Sequence, residues 1–316
     1  MNKLKVVFLS DWAKNPYKDL LSDALTSYGL DVVECEWSTF FLLHLFKSSR
    51  PNILHLHTLH PFLRSKTRLT HLVKLFIFIS QLTILRVVGT ETVWTVHEWT
   101  DKLTGGKDEI PPSSCILLGK CLKTIIVHCQ STKTQIEDAF QLKGKGKVIV
   151  VPHGNYIDHY DNSIDKNQAR ESLKIANDKV TFLLFGSIYR YKGVLEAIEA
   201  FKGLNQEAAS LIIAGKPGQK GLEAEISNKI KDHNNVVFIP KRIPDEDVQT
   251  LMNAADCVLV PYTVFTTSGI AILAMSFGRA CIVPNMGFFS DVLSSSGAYL
   301  YDTSDKIGLA NAMSQT

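Results

Sequence analysis

The sequence predicts two doubly wound parallel-sheet α/β domains that face one another across a cleft. Short apolar or β-branched runs alternate with longer amphipathic segments, which is typical of parallel strands joined by crossover helices. The 316 residues suit two domains of about 150 residues each. Because the composition turns polar after residue 152, we predict a first domain over 1–152, an interdomain connection over 153–179 and a second domain over 180–316.

Each predicted domain contains six strands. Those of the first domain lie near 5–10, 31–35, 53–57, 92–96, 124–128 and 147–151. Those of the second lie near 180–185, 210–214, 236–239, 257–260, 280–283 and 298–301. Helices fill the gaps, as over 16–28, where Pro16 occupies the first turn and Gly29 ends the helix. The helices of the second domain are expected near 194–201, 222–231, 245–254, 270–277 and 305–313.

Composition excludes several classes of protein. Hydrophobic residues make up 45% of the chain and charged ones 21%, so the chain can bury a core and is not disordered. A net charge of +3 is too small to predict nucleic-acid binding. The six cysteines form no C-x-x-C pair and lie mostly in apolar segments, which predicts reduced core residues in a cytoplasmic protein. The basic amino terminus leads into a short apolar run that reads as a first strand and not as a signal peptide.

Two stretches of the second domain predict an anion site. One is a glycine turn with two cations between a strand and a helix, and its residues are Gly186, Arg190 and Lys192. The other opens a later helix with small residues whose backbone N–H groups can face an anion, namely Thr267, Ser268 and Gly269. Together they predict a diphosphate held by a helix N-terminus and two fixed positive charges.

Motifs in order along most of the chain resemble those of nucleotide-sugar glycosyltransferases with two Rossmann-like domains, the GT-B fold, and most closely family 4. They are Asn15-Pro16-Tyr17, Trp94-Thr95-Val96-His97-Glu98, Phe185-Gly186 with Lys192-Gly193, Ile213-Ala214-Gly215, Ala254-Ala255-Asp256, and Thr267-Ser268-Gly269 before Gly278. The resemblance implies a hexosyltransferase that moves a sugar from a nucleoside-diphosphate sugar to a glycan or lipid-linked acceptor, in polysaccharide or glycolipid biosynthesis. It also implies that the first domain binds the acceptor and the second binds the donor.

The chain departs from the family pattern beside the second stretch. Family members commonly carry two glutamates eight positions apart before the glycine that matches Gly278, where this chain has Phe265 and Leu273. An arginine often follows the first glycine, where this chain has Ser187. We therefore expect phosphate recognition, with Phe265 and Thr266 meeting the donor sugar in place of an acid. The UDP or GDP identity of the donor, its sugar and the stereochemical outcome stay open.

His97 ends a predicted strand of the first domain, and Glu98 and Asp101 follow it on the same loop. We predict that these residues are catalytic, with His97 orienting the acceptor, contacting the donor sugar or acting as a base. The alternative is that His97 only satisfies the loop backbone. His153, at the predicted hinge, has two open interpretations, a contact with the donor sugar and a structural turn histidine.

A loop after the first strand is predicted to meet the acceptor through Asp11, Asn15 and Tyr17, although Asn15 could simply cap the following helix. His55 and His57 share one face of the third strand, and His60 follows. Burial in the core or at the edge of the cleft is favoured over metal binding for these histidines, because no Cys or carboxylate completes a ligand set. The triplet 245–247 reads as the acidic first turn of a helix, and we expect no essential metal.

The segment 64–86 combines basic residues with an apolar run of about eleven residues, too short to span a bilayer, which needs about twenty. It could lie on a membrane surface, with its cations meeting anionic headgroups. A buried crossover helix preceded by a solvated basic loop is the alternative. Peripheral attachment to the inner face of the membrane is therefore one expectation for the location of the chain.

Two other functions remain open on sequence. One is a nucleotide-sugar epimerase or hydrolase with the same two domains. The other is a nucleotide-sugar-binding subunit that has lost catalysis, because the two expected glutamates are missing.

Overall fold

The computed structural model describes residues 3–10, 15–48, 50–63, 65, 67–98, 111–205, 207–294 and 297–316. The chain divides into two compact units, Met1–Pro152 and His153–Thr316. Residues 153–179, predicted as an interdomain connection, are grouped with the second unit.

The first unit contains a parallel sheet of six strands in the order β2-β1-β3-β4-β5-β6. The strands are β1 (Lys5–Ser10), β2 (Asp31–Glu36), β3 (Ile53–Leu56), β4 (Glu91–Thr95), β5 (Thr124–Val127) and β6 (Val148–Val150). The helices in the described part of this unit are α1 (Pro16–Ser27), α2 (Phe41–Ser48), α3 (His60–Leu63), α4 (Arg68–Val87), α5 (Pro112–Cys121) and α6 (Gln130–Ala139). Leu54, Trp94 and Leu118 are among the fully buried residues of its core.

The second unit contains another parallel sheet of six strands, in the order β12-β11-β10-β7-β8-β9. The strands are β7 (Val180–Phe185), β8 (Ala209–Ala214), β9 (Val236–Ile239), β10 (Cys257–Leu259), β11 (Ala280–Pro284) and β12 (Tyr299–Tyr301). The helices described here are α7 (Lys166–Ser172), α8 (Val194–Lys202), α9 (Leu222–Ile230), α10 (Val248–Ala254), α11 (Gly269–Ser276), α12 (Gly287–Leu293) and α13 (Gly308–Ser314). Single 3₁₀ turns occupy Arg190–Lys192 and Asp245–Asp247.

The predicted fold class, two α/β units each with a six-stranded parallel sheet, is confirmed. Two helical details differ from the prediction. The helix expected over 245–254 begins as a 3₁₀ turn, and α12 was not predicted at all. The seven residues of α12 include Gly287 at its start, which weakened the helical pattern in the sequence.

Strand order determines where each sheet can bind a ligand. In both sheets the order reverses beside the first strand of the unit, between β1 and β3 and between β7 and β10. Doubly wound sheets bind ligands at the carboxyl ends of the strands on either side of such a reversal. The loops after β1, β3, β7 and β10 are therefore the first places to look for a site.

The predicted apolar run of about eleven residues lies inside α4, which has 20 residues. The prediction of a stretch too short to span a bilayer is thus wrong, because α4 is long and apolar enough by length and composition. A single such helix is weak evidence for spanning. The alternative of a fully buried crossover helix is also wrong, since 28% of the most apolar 18-residue window of α4 is buried.

A buried ion pair attaches α7 to the second sheet. The Arg170 side chain is 1% exposed and donates to Asp256 Oδ2 at 2.6 Å, and it also donates to the Ala254 and Asn177 carbonyls. Lys166 contacts the other oxygen of the same carboxylate, but its side chain is 45% exposed. Burial alone would raise the pKa of Asp256, yet these cations and the backbone N–H of Thr181 hold it below its usual value.

We expect Arg170→Met to lower the free energy of unfolding by about 3–5 kcal/mol, because it leaves a partly buried carboxylate and two carbonyls without their main donor. The matched change Lys166→Met removes an exposed cation from the same carboxylate and should cost less than about 1 kcal/mol. Urea denaturation followed by circular dichroism measures both. Equal losses for the two variants would contradict this description of the network.

Candidate functional site

In the second unit, the loops after β7 and β8 approach each other so closely that only glycine fits. Gly186 has φ +95° and Gly215 has φ +147°, both unfavourable for residues with a side chain. A Cβ on Gly215 would lie 1.9 Å from the Gly186 carbonyl oxygen. This contact fixes the conformation of the backbone that follows β7, at the place where the strand order reverses.

The 3₁₀ turn that follows places Lys192 beside Gly186. The turn ends at Gly193, which has φ +71° and whose Cβ position lies 2.2 Å from the Pro261 carbonyl, so the turn is fixed against the chain that leaves β10. Lys192 Nζ lies 3.9 Å from the place where a Cβ on Gly186 would be. It also lies 5.5 Å from the centroid of the Tyr262 ring, within range of a cation–π interaction.

The N-terminus of α11 reaches the same place. Ser268 caps the helix by accepting a hydrogen bond from the Ala271 N–H at 3.3 Å, and Tyr262 is hydrogen-bonded to the Ser268 side chain. Ile270, in the first turn of α11, lies 3.2 Å from the Cβ position on Gly186. Thr267 Oγ1 is buried and has no hydrogen-bond partner among the described residues. The structure therefore brings Gly186, Lys192 and the start of α11 together.

Arg190 departs from the prediction. Both terminal nitrogens of its guanidinium donate to the Glu225 carboxylate on α9, one at 3.2 Å to Oε1 and the other to Oε2. The hydrogen bonds that Arg190 donates to Glu225 raise the pKa of Arg190, although both groups are open to solvent. This bidentate ion pair with Glu225 uses the two guanidinium nitrogens through which an arginine would bind a phosphate. Of the two predicted cations, the structure thus associates only Lys192 with Gly186.

The positions where the family carries glutamates have packing roles here. The Phe265 ring lies 4.4 Å from the Phe289 ring and 3.5 Å from the Cβ position of Gly287, at the start of α12. Leu273 is buried in α11. Thr266, which precedes the small-residue turn, is also buried. The contact between Phe265 and α12 explains a large apolar side chain at this position.

His153 lies close to residues that pack along α11. Its Nδ1 is hydrogen-bonded to the Gly154 carbonyl at 2.6 Å, and its ring centroid lies 5.7 Å from that of Tyr156. Burial lowers the pKa of His153, opposed by that hydrogen bond. The Tyr156 backbone N–H donates to Ser276 Oγ, and the Tyr156 hydroxyl lies 3.2 Å from the Cβ position on Gly269. His153 is therefore near the helix whose N-terminus faces Gly186.

In the first unit, histidines surround Tyr17 at the carboxyl ends of three strands. The ring centroid of Tyr17 lies 4.6 Å from His97, 5.4 Å from His128 and 6.1 Å from His57. His57 stacks on His55 with centroids 4.4 Å apart. All four histidines are buried.

Two histidines of this cluster, His55 and His57, stay uncharged near neutral pH. Burial lowers the pKa of His55 to about 4, and burial lowers that of His57 well below its usual value, helped by the neighbouring His55 and Lys18. Burial raises the pKa of Tyr17, partly opposed by its hydrogen bond to Thr95. Thr95 Oγ1 is also hydrogen-bonded to His55 Nε2 at 2.7 Å. Neutral imidazoles and a phenol can donate and accept hydrogen bonds without attracting anions.

The remaining predicted residues of the first unit have simpler environments. Asn15 caps α1, since its side chain accepts from the Tyr17 backbone N–H at 3.0 Å. Glu98 is exposed after β4. Asp11 and Asp101 lie outside the described residues, as do Arg64 and Lys66 of the basic segment.

Sequence reasoning did not single out Tyr262 or His128. A signal for His128 was present, because the third, fourth and fifth strands are each followed within two residues by a histidine. Tyr262 had no such signal, since its role depends on packing against Lys192 and Ser268. Among the described residues, no cluster of three or more His, Cys, Asp or Glu side chains could hold a metal ion.

Comparisons with known proteins show which family and which relatives the chain resembles. Residues 165–316 match the family model of glycosyl transferases group 1. A lipopolysaccharide 1,2-N-acetylglucosaminetransferase of Salmonella typhimurium is 29% identical over 177 residues, which are 53% of this chain and 45% of that enzyme. A GDP-mannose:glycolipid 4-beta-D-mannosyltransferase of Xanthomonas campestris pv. campestris is 22% identical over 302 residues, 95% of this chain and 79% of that enzyme.

Solved structures show the same fold. The Anabaena protein HepE in complex with UDP and glucose has a TM-score of 0.72 and 15% identity, over 99% of this chain and 89% of that one. Sucrose-phosphate synthase from Thermosynechococcus elongatus has a TM-score of 0.74 and 16% identity over the same shares. Assignment to family 4 in particular stays a prediction. Residues 165–316 thus form a glycosyl transferases group 1 domain, and the two parallel-sheet units give the chain the GT-B fold.

Proposed function

We propose that the chain transfers a hexose from a nucleoside-diphosphate sugar to a hydroxyl of a glycolipid or lipid-linked glycan. The observation that carries the proposal is the convergence of Gly186, Lys192 and the N-terminus of α11 where the strand order of the second sheet reverses. The named relatives act on glycolipid or lipopolysaccharide, and HepE was solved with UDP and with UDP-glucose. Those names support a nucleotide-sugar donor and a lipid-linked acceptor for this chain.

The site suits a departing nucleoside diphosphate. Transfer of the sugar leaves negative charge on the diphosphate, and groups already held in place stabilise that charge most effectively. Lys192 supplies a fixed cation, and α11 supplies backbone N–H groups at the positive end of a helix. The buried Thr267 hydroxyl would gain a hydrogen-bond acceptor from a bound phosphate oxygen.

The first unit is proposed to handle the sugar or the acceptor hydroxyl. His97 and Tyr17 lie in contact at the carboxyl ends of the strands, and burial keeps Tyr17 and the neighbouring His57 uncharged. A neutral imidazole can accept a hydrogen bond from a hydroxyl or take up its proton. A charged imidazolium can only donate hydrogen bonds, so it can do neither. Glu98 and Asp101 remain candidates from sequence, and Asn15 is assigned to capping α1.

Location and metal use are further parts of the proposal. A lipid-linked acceptor and reduced cysteines suit work at the cytoplasmic face of a membrane. Lys192 and the α11 N-terminus supply positive charge where other transferases use a metal ion, so transfer is expected to proceed without one.

The test is nucleotide release from a panel of UDP-, GDP- and ADP-sugars, with and without a membrane lipid extract, each repeated with EDTA. The proposal expects release from one donor that depends on lipid and persists with EDTA. Free sugar or an epimer without acceptor would instead identify a hydrolase or epimerase. Donor binding without release under any condition would identify a non-catalytic subunit. Loss of release on adding EDTA would contradict metal-independent transfer.

We expect Lys192→Ala to lower kcat on the order of 10²- to 10³-fold, because it removes the cation beside Gly186 while the surrounding glycine contacts keep the fold. The matched change Arg190→Ala should leave kcat within about threefold of wild type, since Arg190 is paired with Glu225 at an exposed position. Steady-state nucleotide release measures both. The anion site would be misassigned if Lys192→Ala kept full turnover, or if Arg190→Ala lost as much as Lys192→Ala.

Acid should weaken the first unit through His55. Its pKa of about 4 in the fold lies below the ordinary value of 6.5, so the unfolded chain binds more protons between these values. The lowered pKa of His55 contributes about 3 kcal/mol to the free energy of unfolding. This contribution is fully present above pH 6.5 and is lost as the pH falls toward 4.

His55→Gln should lower the number of protons taken up on unfolding between pH 4 and pH 6.5 by about one, which flattens the dependence of the free energy of unfolding on pH. His44→Gln, at an exposed position on α2, makes the same chemical change while His55 stays in place, so the loss of stability toward pH 4 should persist. Denaturation curves at a series of pH values measure the slope. An unaltered slope in His55→Gln would show that His55 does not titrate as described.

A further inference from the structure

Helix α4 has two apolar faces, and only one of them is used by the core. Leu75, Phe78, Leu82 and Leu85 are buried in the first unit. The opposite face exposes a second apolar stripe at helical spacing, formed by Leu69, Leu72, Val73, Phe76, Ile84 and Val87. Phe76 in its middle is 73% exposed. A soluble surface helix normally carries polar residues on that side.

Helix α2 lies beside α4 and adds to this surface. Gln81 joins the two, accepting from the Leu42 N–H at 3.0 Å and donating to the Thr39 carbonyl at 2.9 Å. The Phe41 ring packs on Phe78 with centroids 5.9 Å apart. The outer side of this region exposes Phe40, Leu43 and Phe46, and Leu43 is 66% exposed. We call the exposed apolar residues of α4 and of 40–46 the α2–α4 face.

The sequence around this face carries cations and no acid. Residues 37–90 contain no Asp or Glu, although the whole chain has 31 among 316 residues. The same stretch contains seven basic residues, Lys47, Arg50, Arg64, Lys66, Arg68, Lys74 and Arg86. A large apolar area on a stretch of sequence with this excess of positive charge matches the requirements for binding an anionic lipid surface.

We propose that the α2–α4 face lies on an anionic phospholipid surface, with its apolar side chains at the level of the acyl chains and its cations among the headgroup phosphates. The inference rests on the proposed function, because a lipid-linked acceptor must be met at a membrane. Beyond the proposed function, it identifies the surface of the first unit that contacts the membrane and predicts that this surface prefers anionic lipid.

The structure favours a surface-lying helix over a spanning one. The inner face of α4 packs in the core of the first unit, and the helix leads directly to β4 in the middle of that sheet. Insertion across a bilayer would pull these residues out of the core. A second copy of the chain is also disfavoured, since pairing this face with itself would bring together two copies of a stretch, residues 37–90, that is basic and contains no Asp or Glu.

Vesicle co-sedimentation of the full chain tests the proposal without donor or acceptor. The probes are vesicles of phosphatidylcholine alone and vesicles in which about a third of the lipid is phosphatidylglycerol. We expect the chain to bind the anionic vesicles, to bind the neutral ones weakly, and to be released by salt.

The variant Leu69→Ser with Phe76→Ser should bind anionic vesicles on the order of 10- to 100-fold more weakly, because two large side chains no longer enter the interface. The control Leu4→Ser with Tyr28→Ser changes one exposed leucine and one exposed aromatic residue elsewhere in the same unit. It should bind within about twofold of wild type. Both variants alter exposed positions, and circular dichroism checks that each is folded.

Several results would overturn the proposal. These are no binding of wild type to anionic vesicles, equal binding by the two double variants, or resistance of the bound chain to alkaline extraction, which would indicate spanning. A dimer broken by Leu69→Ser with Phe76→Ser, without an effect on vesicle binding, would assign the face to a second copy. Vesicle binding without turnover of any donor would refute the proposed reaction and leave this surface standing. Turnover of a donor without vesicle binding would support the proposed reaction and refute lipid binding by the α2–α4 face.

Discussion

The close backbone approach between Gly186 and Gly215 is the constraint on which the anion site depends. With any side chain at Gly215, a Cβ would meet the Gly186 carbonyl at 1.9 Å, so the loops after β7 and β8 hold one relative position. A second contact, between Gly193 and the Pro261 carbonyl, fixes the Lys192 turn in the same way. The ammonium group and the start of α11 are consequently in place before a ligand arrives. Catalysis by electrostatic stabilisation requires this, since a group that must first be ordered loses part of its effect.

The two units are built for different electrostatic tasks. The second presents a cation and a helix N-terminus at its strand-order reversal. The first collects buried imidazoles around Tyr17, and burial keeps His55 and His57 neutral. Positive charge suits a departing diphosphate, and uncharged hydrogen-bonding groups suit sugar or acceptor hydroxyls. The outer surface of the first unit adds a third property, an apolar face among cations.

The sequence was a good guide where a pattern is local. Parallel strands buried on both faces are continuous apolar runs, so all twelve strands could be predicted. Partners distant in sequence could not be predicted. Arg190 looked available for phosphate because nothing nearby identified Glu225, 35 residues later, as its partner. Phe265 was expected at the sugar, yet it packs on Phe289 of a helix that the sequence did not reveal. The apolar run in α4 was predicted, but composition alone could not show which of its faces the core covers.

We propose that the glycine turn at Gly186, Lys192 and the start of α11 hold a nucleoside diphosphate. The most direct test of this proposal is an NMR titration of the isotopically labelled chain with UDP, GDP and ADP, following backbone amide shifts. We predict that at least one of these nucleotides causes its largest shifts at Gly186, Lys192 and residues 267–270. Binding with unchanged amides at those positions, or no binding of any of the three, would contradict it.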